Sequence, residues 1–398
     1  MDKAKYLDGL RGLAALIVVF THFVVAFYPA LYSGSVSDIN TRNGIEIFIA
    51  KSPLNLIFAG NFAVCIFFIT SGYVLTFKYF KYKNHKYLVA SAIKRYFRLL
   101  IPVFTSIFIA YLLMKLSLFS NKQVGELTRS SWWFSTFWAF APNLINMLKQ
   151  ALFGALLFNQ SSYNVVVWTM TYELYGSFLV FGLASLFGKV KNRYIIYIFS
   201  ICFLIKTYYF GFILGLFLCD LDNNSQFNLR DRVKSKYLIG FTLLIGLFFG
   251  SFPRAMDVSN TIYGFMKIPS ISDVPTFYHT LGAFLVILSI LLSDKLKSFL
   301  SGKTALFLGK ISYSMYLIHL IIMCSFSSFL FLKLILIFSY FLSTLLTFIP
   351  SMLIIIILSF IMYRYIDLGG IGFANFIYKK YFLSNEKLRI DEVKDITS

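Results

Sequence analysis

Apolar runs long enough to cross a bilayer recur along the whole of this 398-residue chain, and no other feature restricts its fold as severely. Residues 165–187 and 334–363 are two of them, where about 20 apolar residues are enough to cover the hydrocarbon core. Reading the runs against turn and charge signals gives ten candidate spans, at residues 7–28, 56–77, 97–117, 164–187, 194–205, 207–221, 237–252, 277–293, 305–328 and 334–363. The expected fold is all-α, a polytopic integral membrane protein of about ten transmembrane helices. Residues 1–381 are expected to form the membrane domain. Residues 382–398 form a polar tail too short to fold alone.

Composition agrees with that solvent: 58% of residues are hydrophobic and 14% charged, against roughly 45–50% and 25% in soluble domains. A net charge of +20 on a soluble protein would suggest nucleic acid as partner. Here the basic residues lie in the gaps between apolar runs, so the surrounding partner is membrane lipid and no nucleic acid is expected. Alternate gaps carry 27 and 10 of the Lys and Arg residues, and the richer set is the cytoplasmic one. Both termini belong to it.

The stretch 194–220 holds two runs that are short for a bilayer. They are kept separate, because merging them would move the basic cluster 230–236 to the opposite side. Lys3 and Lys5 ahead of an apolar stretch resemble a secretion signal, but Arg11 and His22 interrupt it, and a retained first span is expected. Cys65, Cys202, Cys219 and Cys324 all lie in apolar segments without metal-site spacing, which argues against a disulfide or a metal. Outside the spans, residues 118–163 carry Trp132, Trp133 and Trp138. Tryptophan favours the interface, so an interfacial anchor is one reading of this segment and a lid or acceptor platform the other. Neither repeats nor matched broken helices of the transporter kind are visible.

Ionisable groups inside spans are costly and therefore mark candidate sites. Arg11 and His22 lie eleven residues apart on one face of the first span, about 16 Å along a helix. His319 and Glu173 reach a similar depth from two other spans, so the three groups are expected to converge near the midplane. Arg95 and Arg98 share a helix face at the mouth of the third span. Their planar forks suit a phosphate-bearing ligand, although an ordinary positive-inside cluster reads the same way. In Phe67-Phe68-Ile69-Thr70-Ser71-Gly72-Tyr73 the small residues suit either close helix packing or passage of a slim ligand along the backbone.

These residues resemble the membrane-bound acyltransferase 3 family of bacterial O-acyltransferases. Tyr6-Leu7-Asp8-Gly9-Leu10-Arg11 leading to His22 is similar to that family's Arg, ten residues, His signature. Phe68-x-x-Ser71-Gly72-Tyr73, Arg95-x-x-Arg98, Trp168 to Glu173, and Ile311-Ser312-Tyr313-Ser314-x-Tyr316-x-x-His319 follow in the family's order. The resemblance implies ten spans with cytoplasmic termini in a bacterial inner membrane. It also implies transfer of an acyl group, most commonly acetyl, from cytoplasmic acyl-CoA to a hydroxyl of a lipid-linked or surface saccharide such as O-antigen or exopolysaccharide.

By that resemblance His22 and Arg11 are essential to catalysis, with Glu173 and His319 as accessory catalytic groups. Arg95 and Arg98, with Ser71, Gly72 and Tyr73, would form the donor site. Acyl-CoA is then a substrate, and no permanently bound cofactor or metal is expected. His22 can serve as general base on the acceptor or as acyl carrier. Many relatives end their last span in a Glu-x-Pro-like element, where this chain reads Arg364-Tyr365-Ile366-Asp367-Leu368-Gly369-Gly370, and no role is assigned there. Many also append an extracytoplasmic hydrolase-like domain, whose absence implies direct delivery to the acceptor. The alternative function is a transporter or flippase for a surface polysaccharide using the same midplane residues.

Overall fold

The computed structural model describes residues 4–41, 43–223, 233 and 235–383. Among them there is no β-strand, and ten principal helices follow the ten apolar runs in order. They are α1 (Lys5–Phe27), α2 (Gly60–Tyr82), α3 (Lys86–Lys115), α4 (Trp168–Phe187), α5 (Arg193–Leu204), α6 (Tyr209–Asn223), α7 (Lys236–Gly250), α8 (Val274–Leu292), α9 (Lys303–Leu334) and α10 (Tyr340–Phe382). The tail after residue 383 and most of the basic cluster 230–236 lie outside the described residues.

Seven of the ten, α1 to α4 and α8 to α10, are long and apolar enough to cross a membrane. Helices α5, α6 and α7 have 12, 15 and 15 residues, and at about 1.5 Å per residue they fall short of a hydrocarbon core near 30 Å. The separation of 194–220 into two helices has a visible cause. Arg193 at the start of α5 pairs with Asp220 near the end of α6, and Asp220 is fully buried. The Tyr197 hydroxyl donates to the same carboxylate at 3.3 Å. This clasp joins the far ends of both helices and makes them an antiparallel hairpin.

Two boundaries differ from the sequence reading. Helix α3 begins at Lys86 rather than near residue 97, because Lys, Arg and Ala favour helix as strongly as the apolar residues beyond them. Arg95 and Arg98 therefore sit two to three turns inside α3, not at its mouth. Helix α10 continues beyond residue 363 through a π-helical turn, Tyr363–Asp367.

Glycines set the closest helix approaches. A Cβ at Gly309 of α9 would lie 2.3 Å from the Asp8 carbonyl oxygen of α1, and one at Gly12 would lie 2.5 Å from the Gly309 nitrogen. Helices α2 and α6 cross in the same way, with a Cβ at Gly72 2.2 Å from the Phe212 carbonyl oxygen. In a bilayer such small-residue contacts replace the hydrophobic driving force that water would supply. The α1–α9 contact brings the faces carrying His22 and His319 together.

The outer segments close over the far end of α1. Its last carbonyls have no intrahelical donor, and side chains from elsewhere supply them. Ser130 donates to Val25 O at 2.7 Å, Asn40 to Phe27 O at 3.3 Å, and the Tyr340 hydroxyl also bonds Phe27 O. On the same side Asp273 caps α8, accepting from Thr276 N at 3.2 Å, and pairs with Arg254. Burial alone would raise the Asp273 carboxyl, but the Arg254 guanidinium and Thr276 outweigh it and hold the group below the usual carboxylate range.

Candidate active site

A cavity of about 540 Å³ opens at the face carrying the N-terminal ends of α1, α3 and α9. Its walls come from α1, α2, α3, α4, α9 and α10. Five cationic side chains line it, Lys5, Arg11, Arg95, Arg98 and Lys310, against three acidic ones, Asp8, Glu173 and Asp367. The excess of positive charge in a low-dielectric setting favours an anionic ligand.

Arg95 is buried and held by two partners. Its Nε–H donates to Ser177 Oγ at 2.7 Å, and a terminal nitrogen pairs with Glu173. Glu173 Oε1 also accepts from Ser71 Oγ at 2.7 Å. Ser71 therefore belongs to the cavity wall and fixes an ion pair there. Arg98, one turn further along α3, is exposed to the cavity, which Asp367 of α10 also lines. Arg11 contributes a buried Nε–H that has no partner among the described residues. An orphaned guanidinium donor in a basic cavity is where a phosphate or other anion would complete the hydrogen bonding.

Gly72 and Tyr73, grouped with the donor site on resemblance, are not among the cavity-lining residues. Gly72 abuts the α6 backbone, and Tyr73 is fully buried with its hydroxyl donating to Asp222 at 2.5 Å. Helical geometry explains the split, since adjacent positions point about 100° apart. Ser71 falls on the cavity side and the next two residues on the packing side.

The expected convergence of three midplane groups resolves into two separate clusters. Glu173 joins Arg95 in the cavity. His22 and His319 meet each other, with Nδ1 of His22 2.7 Å from Nε2 of His319 and the rings tilted by only 15°. Nδ1 of His319 lies 3.0 Å from the Met315 carbonyl oxygen, which only accepts, so that nitrogen carries the proton. Nε2 of a neutral His319 then presents a lone pair, and His22 donates its Nδ1–H to it. The chain of bonds leaves Nε2 of His22 unprotonated and available.

Trp133, from the segment between α3 and α4, lies beside His22 with ring centroids 5.5 Å apart and planes 12° from parallel. Trp138 anchors the same segment internally, stacked on Phe119 at 4.2 Å and donating to Tyr163 O at 2.9 Å. Trp132 is exposed. One tryptophan therefore reaches the site, a second holds the segment's shape and the third faces outward. The common label of interfacial anchor does not describe all three.

Asp367 went unassigned in the sequence reading. The signal for it was present, since it is the one carboxylate between Tyr340 and Phe382. Its direction was not legible, because the π-helical turn that ends at Asp367 rotates it relative to a regular α-helix.

A cationic cavity thus stops short of a paired imidazole. Residues 4–364 match the family described as "Acyltransferase domain", and the chain belongs to it. It is thus a membrane-embedded acyltransferase.

The chain is similar to Acyltransferase clz18 of Cochliobolus lunatus, 25% identical over 82% of this chain and 84% of that protein. It is also similar to Acyltransferase R4 of Phoma sp., 23% identical over 83% and 85% of the two chains. O-acetyltransferase PaAT-1 of Phomopsis amygdali is 21% identical over 97% and 87%. All three are fungal, whereas the resemblance in the sequence pointed to a bacterial membrane. No solved structure matches the chain.

Proposed function

We propose that the protein transfers an acyl group, acetyl in the first instance, from acyl-CoA entering at the basic face to a hydroxyl of a lipid-linked or surface saccharide presented from the other face. The observation that carries this reading is the bond chain from Met315 O through His319 to His22, which leaves His22 Nε2 as a free base beyond the inner end of a cationic cavity.

In this reading Arg98, Arg11 and Lys310 hold the phosphates of CoA, while the slender pantetheine arm runs inward along α2 past Ser71. The thioester already has a good leaving group, so the protein's task is to activate the acceptor and align the partners. The acceptor hydroxyl passes its proton to His22 Nε2 as its oxygen bonds to the thioester carbon. The carbon–sulfur bond then breaks, and the proton leaves with CoA as its thiol. His319 orients the His22 ring and shares the charge of the imidazolium through the Nδ1–H bond. Trp133 closes the acceptor side and excludes water, which would otherwise compete with the saccharide hydroxyl.

His22→Ala should abolish transfer from labelled acetyl-CoA in membranes or proteoliposomes while the protein still inserts. Full transfer by that variant would overturn the assignment. His319→Ala should retain donor binding and lose a factor on the order of 100 or more in turnover, the range typical of losing general-base assistance.

A further inference from the structure

Neither His22 nor His319 lines the cavity. Its lining includes Phe67 of α2 and Tyr316 of α9, whose rings meet edge to face with centroids 6.1 Å apart. The ring of Tyr316 lies 6.1 Å from that of His319, which is fully buried. Tyr316 therefore connects the cavity wall to the buried histidine, with Phe67 packed against it in the cavity lining.

The two rings differ in how they are held. The Tyr316 hydroxyl donates to Val166 O at 2.9 Å and accepts from Thr169 Oγ1 at 2.9 Å, and the residue is buried. Phe67 has no polar atom with which to be anchored and is partly exposed to the cavity. Tyr316 is thus fixed by two hydrogen bonds, whereas Phe67 is held by packing alone. In the proposed function, a thioester carbonyl held in the cavity would pass this pair on its way to His22.

We infer that Phe67, closing against Tyr316, sets the length of acyl group the enzyme transfers, admitting acetyl and excluding longer chains. This deepens the proposed function and rests on it. The chemistry of transfer is unchanged, and only the space around the acyl carbon differs between substrates.

The test uses the full chain in membranes of the cells that express it, which contain its native acceptor. Labelled acetyl-CoA, butyryl-CoA and hexanoyl-CoA are supplied in competition, and their incorporation is compared. In the wild type acetyl should predominate. Phe67→Ala should raise butyryl relative to acetyl by roughly tenfold or more, the size of effect that a few methylenes have in an apolar pocket. Phe67→Leu should shift the ratio in the same direction by less, and it decides the matter if the alanine variant does not insert. An unchanged ratio in variants that still transfer acetyl would overturn the gate alone. A wild type that incorporates label from none of the three donors would overturn the proposed function and the gate with it.

Discussion

At the scale of single residues, the two arginines of α3 were expected to act as a matched pair of phosphate forks, and the structure gives them different work. Arg98 points into the cavity, so Arg98→Ala should raise the KM for acyl-CoA with little effect on kcat. Loss of a charge-assisted bond of about 1.5–3 kcal/mol corresponds to roughly a ten- to hundredfold rise. Arg95 is spent on Glu173 and Ser177. Arg95→Ala leaves a half-buried carboxylate without its cation and should destabilise the protein by less than the roughly 3–5 kcal/mol of breaking a fully buried pair, read as a lower melting temperature in detergent. Adding Glu173→Gln should recover part of that loss. Equal KM effects and no stability difference between the two arginine variants would contradict this division.

At the scale of helices, the histidine pair depends on how closely α1 approaches α9. Helix α1 carries His22 and helix α9 carries His319, and the 2.7 Å bond between them exists because glycines let the two backbones touch nearer the basic face. Gly309→Ala should cost about 1–3 kcal/mol through overpacking and should reduce turnover by separating the histidines. Gly182→Ala on α4, where an added Cβ meets nothing within 4 Å, should leave both unchanged. Measuring turnover and thermal stability for the pair distinguishes a specific helix contact from a general intolerance of glycine replacement.

At the scale of the whole molecule, the charge bias predicts that the cavity mouth faces the cytoplasm and the segment carrying Trp133 the opposite side. Single cysteines introduced at Ser37 and Lys83, both exposed, test this in a background with the four native cysteines replaced. Ser37→Cys should react with a membrane-impermeant maleimide in intact cells, and Lys83→Cys only after lysis. The reverse pattern would invert the orientation and place the donor cavity outside.

The sequence by itself determined the helical class and the order of the ten helices, because lipid leaves backbone groups no other way to be satisfied than helix, and apolar length is written locally. It also singled out Arg11, His22, Glu173 and His319, since a titratable side chain in an apolar run is conspicuous wherever it points. The partners were decided only in three dimensions. The choice of Arg95 over His22 as the neighbour of Glu173 depends on how α3 and α4 cross, and that is not encoded in either segment alone. The exclusion of Gly72 and Tyr73 from the cavity depends on the rotation of α2 against α6. Asp367 faces the cavity through one π-helical turn, and Trp133 reaches His22 from a segment whose path is set by contacts with the end of α1. The first feature to stand out, His22 three turns from Arg11, thus carried its own identity in the sequence. Its proton state came from Met315 and His319, some 300 positions away along the chain.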